Sequence, residues 1–351
     1  MPSAMDSGSV LSPTVNAPSL PLIEVKDLRV TFNLEEREAH AVRDVSFTIP
    51  QGKTVGLVGE SGCGKSMTGL SLLKLIPVPG RISHGQILYY SSDVTLPPTD
   101  LVALPQNGET IRSIRGAQIA MIFQEPMSAL TPVYTIGQQI GEMVMLHRKM
   151  NKADARHVSI EMLTRVGIPA PEQRVNEYPH QLSGGMRQRA VIAMALSCNP
   201  RMLIADEPTT ALDVTVQAQI LDLMRELQQE LGMSILIVSH DLGVIADLAE
   251  EMIVMYAGRV VEQGTAEQLF YSPQHPYTQG LLRSAPVLGS KHSGKLYSIP
   301  GTVPRLTSTA QGCPFRPRCP EAFDKCAELP PLFVKSDGQS VRCWARIETL
   351  Q

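Results

Sequence analysis

The sequence has no long hydrophobic run, no excess of basic residues and few cysteines. No apolar stretch is long enough to cross a bilayer, and the N-terminus lacks the basic and apolar regions of a signal peptide. With 31 Lys and Arg against 34 Asp and Glu, the net charge of −3 argues against a dedicated nucleic-acid-binding protein. Six cysteines among 351 residues are too few for a disulfide-rich secreted scaffold. We therefore expect a soluble protein that does not bind nucleic acid.

Composition divides the chain into three parts. Residues 1–21 are rich in Ser, Pro and Ala and are predicted to form a disordered lead. Residues 22–270 alternate apolar runs with helical patterns, and a hydrophobic content of 43% is enough for a sizeable core. Residues 271–351 are rich in proline and poor in long periodic segments, so we expect a separate, loop-rich C-terminal extension.

The middle part has the pattern of an α/β protein. Residues 23–32 and 41–49 alternate apolar and polar side chains, as half-buried strands do. A helical pattern between 135 and 167 predicts a helical insertion. Further strands are predicted at 53–59, 118–123, 202–206, 234–240 and 251–256, and helices at about 184–198, 215–231 and 241–250.

A glycine-rich segment, Gly59-Glu-Ser-Gly-Cys-Gly-Lys65-Ser66, lies between a predicted strand and a predicted helix. It fits the pattern G-x-x-x-x-G-K-[ST], whose glycines let successive backbone N–H groups face an anion at a helix N-terminus. The Lys65 ammonium would reach the β- and γ-phosphates of a nucleotide, and the Ser66 hydroxyl would bind Mg²⁺. The segment therefore predicts a nucleoside triphosphate site.

An acidic pair ends the apolar strand Met202-Leu-Ile-Ala-Asp206-Glu207. Asp206 would hold Mg²⁺ through water, and Glu207 could act as a general base that polarises the attacking water. Acidic residues often begin loops after buried strands, so this pair alone is ambiguous. Together with the glycine-rich segment it predicts hydrolysis of the nucleotide.

The remaining motifs identify a family. Two of them follow predicted strands: Gln124 comes after the strand 118–123, and His240 ends the strand that follows the acidic pair. The other two are Leu182-Ser-Gly-Gly-Met186, at the start of a predicted helix, and Ala211-Leu-Asp213, shortly after the acidic pair. With all motifs in this order, residues 22–270 resemble the ATP-binding cassette (ABC) ATPases. The resemblance implies an α/β P-loop NTPase core with an antiparallel β subdomain and a helical subdomain at about 127–198.

The resemblance also implies a role for each motif residue. Glu207 would be the catalytic base, Gln124 a sensor of Mg²⁺ and the attacking water, and His240 the switch residue at the γ-phosphate. Mg²⁺ would be held through Ser66, Gln124 and Asp206. Phe32 would stack on adenine, although an ordinary core residue at a strand end is the alternative. The implied ATP-binding residues are Phe32, Gly59, Glu60, Ser61, Gly62, Cys63, Gly64, Lys65 and Ser66.

The Leu-Ser-Gly-Gly-Met motif implies a second ATPase subunit. In the family, residues matching Ser183, Gly184, Gly185 and Asp213 bind the ATP held by the partner in a head-to-tail dimer. Met186 stands where glutamine is usual, but Ser and Gly make the phosphate contacts, so we expect activity to be retained. One copy of each half-site predicts one half of a two-ATP sandwich.

The flanking sequences resemble the dipeptide, oligopeptide and nickel importer branch. The relevant segments are Met255-Tyr-Ala-Gly-Arg-Val-Val-Glu-Gln-Gly264, His275-Pro-Tyr-Thr278, Ser298-Ile-Pro-Gly-Thr-Val-Pro304 and the cysteine-bearing tail. The branch implies ATP hydrolysis at the cytoplasmic face of the cell membrane, coupled to inward movement of a peptide or a related solute. It also implies two permease subunits, a second, related ATPase and an extracytoplasmic solute-binding protein.

Alternatives to a peptide importer remain open from the sequence. A non-transport ABC ATPase is one, although such proteins generally carry two cassettes or a long coiled coil, and this chain shows neither. An importer subunit for a non-peptide solute, such as nickel, is another, because specificity resides in the partners.

Four cysteines, Cys313, Cys319, Cys326 and Cys343, lie within the loop-rich tail. A disulfide is not expected beside a cytosolic ATP site, and structural zinc usually uses closer pairs of cysteines. Four thiolates in a short segment suit a [4Fe–4S] cluster, which members of this importer branch carry at matching cysteines. Zinc or no metal remain the alternatives.

Cys63 lies inside the glycine-rich segment, close to Lys65 and a helix N-terminus. Both could lower the pKa of its thiol, so that alkylation would block the phosphate site and bound ATP would protect it. A small structural residue is the plainer interpretation.

Overall fold

The computed structural model describes residues 20–34, 37–124, 129–210, 212–285, 297–304 and 311–347. The predicted disordered lead therefore falls outside the described residues, except for its last two positions, and so does Ala211. Across the described ranges, no helix has the length and apolar character needed to cross a membrane.

The central sheet has eight strands in the order β11-β12-β10-β9-β3-β8-β7-β6. Strands β9, β3, β8, β7 and β6 are parallel, and the other three extend one side of the sheet with antiparallel pairs. These strands are β3 Thr54–Val58, β6 Ile119–Ile122, β7 Met202–Asp206, β8 Ser234–Ser239, β9 Glu251–Tyr256, β10 Arg259–Thr265, β11 Phe333–Val334 and β12 Ser340–Val341. Every residue of β3, β7 and β8 is buried, which explains why the apolar runs predicted these strands.

A second sheet, of four antiparallel strands, has the order β2-β1-β4-β5. Its strands are β1 Pro21–Leu34, β2 Arg37–Pro50, β4 Gly80–Tyr89 and β5 Thr99–Asp100. The first two confirm the predicted alternating pair, with longer bounds. The pattern does not predict β4, because this strand buries only Ile87 and Tyr89 and contains two glycines.

Helices connect the strands of the two sheets. Several begin at a side chain that accepts a backbone N–H from the first turn, as Thr135, Asn151, Ser183 and Asp213 do. The helices span Lys65–Leu72, Glu109–Ile114, Ile136–Arg148, Lys152–Arg165, Pro171–Arg174, Gly184–Leu196, Val214–Leu231, Leu242–Leu248, Ala266–Tyr271, Pro276–Ser284 and Trp344–Ile347, and short 3-10 turns lie at Pro179–Gln181, Arg316–Arg318 and Asp324–Ala327.

Two apolar cores flank the central sheet. On one face, Leu236 and Val238 of β8 pack with the antiparallel sheet. On the other face, Ile235 and Ile237 pack with the helices, including the region 136–196. Because side chains alternate along a strand, β8 contributes residues to both cores. Polar residues follow at its carboxyl end, beyond the buried part of the strand.

The C-terminal segment, of which residues 271–285, 297–304 and 311–347 are described, contributes Tyr277 and Phe315 to the core on the helical face of the sheet. Strand β12 pairs with β10, so the segment extends the central sheet. The buried Phe315 ring lies 5.2 Å from that of Tyr256 and 5.4 Å from that of Tyr277, measured between ring centroids. These contacts bring the C-terminal segment next to the loop that follows β3.

Candidate functional site

The glycine-rich loop connects β3 to the helix Lys65–Leu72. At Gly59 the φ angle is +150°, and a Cβ there would lie 2.3 Å from the carbonyl oxygen of Met255. At Gly64 the φ angle is +104°, and a Cβ would lie 2.4 Å from the carbonyl oxygen of Ala41. Only glycine fits both positions, so the sequence pattern corresponds to a sterically required turn.

Lys65 lies at the start of this helix and is buried. Its Nζ donates to the carbonyl oxygen of Gly59 at 2.7 Å and to that of Glu60 at 3.2 Å. The ammonium therefore spans the mouth of the loop, where an anion held by the backbone N–H groups would meet it.

Ser66 and Asp206 bring the loop and the end of β7 together. The Ser66 hydroxyl donates to Asp206 Oδ1 at 3.1 Å. Burial raises the pKa of Asp206 above its ordinary value, and the neighbouring Glu207 raises it further, while the Ser66 hydrogen bond acts in the opposite direction. A buried carboxylate with raised pKa would be stabilised by a cation at this position.

The donor set suits Mg²⁺. A hydroxyl and a carboxylate are hard oxygen ligands, and Mg²⁺ commonly takes one or two such ligands and completes its shell with water and substrate phosphates. Ser66 and Asp206 would hold the ion here, and the Gln124 amide oxygen is a further candidate from its position after β6.

Three side chains from different elements hold the Glu207 carboxylate. Gln124 Nε2 donates to Oε2 at 3.1 Å, the Thr210 hydroxyl donates to Oε2 at 2.9 Å, and His240 Nδ1 lies 2.9 Å from Oε1. Glu207 itself has a positive φ of 49°, and its N–H donates to the carbonyl oxygen of Val238. The carboxylate is thus fixed at the common edge where parallel strands end.

Electrostatics keep Glu207 ionised. Partial burial by itself would raise its pKa, but the hydrogen bonds from His240 and Thr210 and the charges of His240 and Lys65 outweigh burial, so the pKa lies below its ordinary value. An ionised carboxylate at neutral pH is the form that can accept a proton from water.

The structure therefore brings together Lys65, Ser66, Gln124, Asp206, Glu207 and His240, all predicted from sequence. Thr210 was missed, because a threonine three residues after an acidic pair carries no recognisable pattern. The Thr210 hydroxyl reaches the carboxylate because the chain turns here, and the Thr210 N–H donates to the carbonyl oxygen of Glu207 at 3.2 Å.

Other predicted residues lie away from this cluster. Ser183 and Gly184 are exposed at the N-terminus of the helix Gly184–Leu196, and the Ser183 hydroxyl accepts the Met186 N–H. Asp213 is exposed and accepts the Val216 N–H. Within the part of the chain that the structure describes, no hydrogen bond joins Ser183 or Asp213 to the glycine-rich loop.

Phe32 lies in β1 and is half-buried. A Cβ at Gly80 of the neighbouring β4 would come within 2.6 Å of the Phe32 ring, so the ring packs closely over that glycine. This packing fits the alternative interpretation of an ordinary strand-end residue, and it leaves one part of the ring accessible.

Cys63 is fully buried beneath the loop. Burial raises the pKa of its thiol, and the opposing effect of Lys65 is smaller. The net pKa shift is therefore opposite to the suggested lowering, and the complete burial of the side chain supports the plainer interpretation of a small structural residue.

The four tail cysteines line one small cavity, which His275 and Phe315 also border. The Cys313 N–H donates to the carbonyl oxygen of Cys326 at 3.0 Å. Burial raises the pKa of the Cys313, Cys319 and Cys343 thiols, for Cys319 to about 11, and neighbouring cysteines add to the effect. All are free thiols, and within the described ranges no three His, Cys, Asp or Glu side chains are arranged to hold a metal ion.

The chain is similar to known proteins over nearly its whole length. Family models match residues 42–210, described as ABC transporter, and residues 261–326, described as oligopeptide/dipeptide transporter, C-terminal region. A protein of Brucella ovis is 50% identical over 336 residues, which cover 93% of this chain and 98% of that protein. The oligopeptide transport ATP-binding protein OppD of Bacillus subtilis is 48% identical over 325 residues, covering 92% of this chain and 88% of the relative.

Solved structures with a similar fold are also ATP-binding cassettes. The dimeric ATP-binding cassette MJ0796, in a post-hydrolysis state bound to ADP and Pi, superposes with a TM-score of 0.61 at 27% identity and covers 70% of this chain and 98% of its own. This similarity defines an ABC-type ATPase. The chain belongs to the ABC transporter family, in the branch of the oligopeptide and dipeptide transport ATP-binding proteins.

Proposed function

We propose that this chain is the ATP-hydrolysing subunit that energises an importer of dipeptides or oligopeptides. The single observation that carries the proposal is the Glu207 carboxylate, held by Gln124, Thr210 and His240 next to the Ser66–Asp206 pair. The reaction is ATP + H₂O → ADP + phosphate. Relatives named for oligopeptide and dipeptide transport support the choice of solute.

We propose a part in hydrolysis for each of these residues. The loop N–H groups and Lys65 would bind the phosphates, and Ser66 and Asp206 would hold Mg²⁺, which would neutralise phosphate charge. Glu207 accepts a proton from the attacking water, while His240 orients the Glu207 carboxylate from the end of β8. Gln124 donates to Glu207 Oε2, and we propose that it senses Mg²⁺ and the attacking water.

We propose that two such sites form only in a head-to-tail dimer. The exposed N-terminus of the helix Gly184–Leu196 offers backbone N–H groups that a partner's γ-phosphate can reach, with Ser183, Gly185 and Asp213 beside it. The second ATPase is proposed to be a related chain, which gives a heterodimer. Mass spectrometry of the intact purified complex would distinguish two related ATPases from two copies of one.

The permease contact is proposed to lie on the helical insertion at about 127–180. Tyr134 and Leu146 are exposed large side chains there, and the helices Ile136–Arg148 and Lys152–Arg165 border an open groove. Such a surface suits contact with two membrane subunits, and we propose that the chain lies at the cytoplasmic face of the cell membrane. An extracytoplasmic solute-binding protein would deliver the peptide.

Reconstitution tests the function directly. The full complex in proteoliposomes, loaded with internal MgATP, should accumulate labelled peptide only when the binding protein is outside. Uptake of Ni²⁺ without peptide uptake would show a non-peptide importer, and copurification with ribosomes or DNA in place of permeases would show a non-transport ATPase.

We further propose that Cys313, Cys319, Cys326 and Cys343 hold a [4Fe–4S] cluster. Support comes from the convergence of all four thiols on one cavity and from the softness of a four-thiolate donor set. Small rearrangements of the thiols would be needed, because the side chains do not form a ligand group as they stand. Anaerobic purification with iron and acid-labile sulfide assays tests this proposal, and stoichiometric zinc or metal-free protein would overturn it.

A further inference from the structure

The C-terminal segment binds the glycine-rich loop at Glu60 through Arg318. Arg318 donates from Nη1 to Glu60 Oε2 at 2.7 Å and from Nη2 to Oε1 at 2.9 Å, a bidentate ion pair. The Arg318 side chain is only 4% exposed. An ion pair with this geometry and burial is stronger and more directional than an exposed one.

The guanidinium is itself held in place. Nη1 also donates to the Tyr256 hydroxyl, Nη2 to the carbonyl oxygen of Ile299, and Nε to that of Pro300. These three bonds and the two to Glu60 engage all five N–H donors of the side chain. Arg318 therefore cannot bind a phosphate without giving up a partner, and its place in the site is to hold Glu60.

Tyr277 holds the same residue through its backbone. The Glu60 N–H donates to the Tyr277 hydroxyl at 2.8 Å. Tyr277 is fully buried, and its ring packs against those of Tyr256 and Phe315. His275 caps the helix Pro276–Ser284, and its Nδ1 accepts the Tyr277 N–H at 3.0 Å, which holds the backbone of Tyr277 in place.

Glu60 in turn contacts the phosphate-binding residues of the loop. Its carbonyl oxygen accepts the Cys63 N–H and the Lys65 ammonium, each at 3.2 Å. A shift of Glu60 would move the turn and the lysine together. The C-terminal segment thus contacts the loop at Glu60, the residue that also holds Cys63 and Lys65.

We propose that Arg318 and Tyr277 are positioning residues that keep the loop in its ATP-binding conformation, so that the C-terminal segment sets the ATP affinity of this chain. The inference rests on the proposed binding of ATP at the loop. If the loop loses its hold and the binding-competent conformation falls to about a tenth of the population, the apparent Kd rises about tenfold.

The test is equilibrium binding of a non-hydrolysable ATP analogue with Mg²⁺ to the full-length chain. Arg318→Met keeps an apolar stem and removes the pair, and we expect about a tenfold rise in Kd. Tyr277→Phe keeps the buried ring and removes only the acceptor for the Glu60 N–H, and it should also raise Kd. Arg316→Ala, an exposed arginine two residues away, is the matched control and should bind as the wild type does.

A double-mutant cycle separates positioning from general loss of stability. Glu60→Gln and Arg318→Met should each weaken binding, and the double variant should be no weaker than Arg318→Met alone. In the assembled complex, KM for ATP should rise for both Tyr277→Phe and Arg318→Met while kcat at saturating ATP stays near wild type. Additive effects, or an unchanged Kd in both Tyr277→Phe and Arg318→Met, would overturn the inference. A wild-type chain that binds no nucleotide would instead refute the proposed function.

Discussion

His240 Nδ1 lies 2.9 Å from Glu207 Oε1, although 33 residues separate the two in sequence. The distance is short because β7 and β8 are adjacent parallel strands that end at the same edge of the sheet. Histidine, glutamine and threonine together leave the carboxylate little rotational freedom. The carboxylate lies close enough to Lys65 for the ammonium charge to lower its pKa.

The first prediction concerns the charge on Glu207. Glu207→Gln preserves size and the ability to accept the bonds from Gln124 and Thr210 at one oxygen, but it removes the proton acceptor. We expect MgATP binding to be kept and steady-state hydrolysis by the assembled complex to fall by about 100-fold or more. Phosphate release measures the effect, and the exposed Glu226→Gln serves as control. Hydrolysis near the wild-type rate would remove Glu207 from the role of base.

The second prediction compares two glycines of the loop. Gly59 and Gly62 both have positive φ, so alanine at either position costs about 1–2 kcal/mol in backbone strain. A Cβ at Gly62 would meet nothing within 4 Å, whereas one at Gly59 would also lie 2.7 Å from Cys63 Sγ. Gly59→Ala should therefore lower the free energy of unfolding in urea by about 2 kcal/mol more than Gly62→Ala. Equal losses would mean that the loop can move away from β9.

Local pattern and strand order explain which parts of the site could be predicted. The loop from Gly59 to Ser66 is a contiguous turn, so its sequence carries its geometry. Asp206, Glu207 and His240 end apolar runs, and the carboxyl ends of parallel strands meet at one edge.

The rest of the site depends on contacts that no local pattern encodes. Arg318 and Glu60 are 258 residues apart, and their pairing requires the C-terminal segment to join the central sheet through β12. Strand β4 was missed for a related reason, since its mostly exposed residues carry no period-two apolar signal. The upward pKa shift of Cys63 could not be predicted, because proximity to Lys65 is visible in sequence, whereas burial is not.

The third prediction follows from the burial of Cys63. A buried thiol with raised pKa is a poor nucleophile, so alkylation must await local opening of the loop. In the folded chain at neutral pH, iodoacetamide should label Cys63 at least about tenfold more slowly than the half-buried Cys198, as read by peptide mass spectrometry. In urea the two rates should converge. Rapid labelling of Cys63 that ATP prevents would show that the thiol is accessible from the phosphate site.

The last prediction concerns the pH dependence of stability and the junction of the two sheets. Asp44 of β2 pairs with Arg29 of β1 and, at 3.0 Å, with Arg259 of β10. Partial burial raises the pKa of Asp44, but the hydrogen bonds and charges of the two arginines outweigh burial and lower it. The ionised form therefore stabilises the folded state above the ordinary carboxyl pKa, and this stabilisation is lost as pH falls through the lower folded-state pKa.

Asn tolerates the left-handed φ of 51° at this position as Asp does, so Asp44→Asn removes the charge without backbone strain. Because the pair is partly exposed and screened by salt, we expect the variant to be less stable by about 1 kcal/mol or less at pH 7. The difference should begin to shrink as pH falls below the ordinary carboxyl pKa of about 3.9, and it should vanish only below the lower folded-state pKa, where wild-type Asp44 is protonated as well. Urea unfolding over a pH series measures this, with Asp222→Asn in the exposed Arg225 pair as control. A difference that is constant from pH 7 to pH 3 would show that Asp44 acts through packing, with no contribution from its charge.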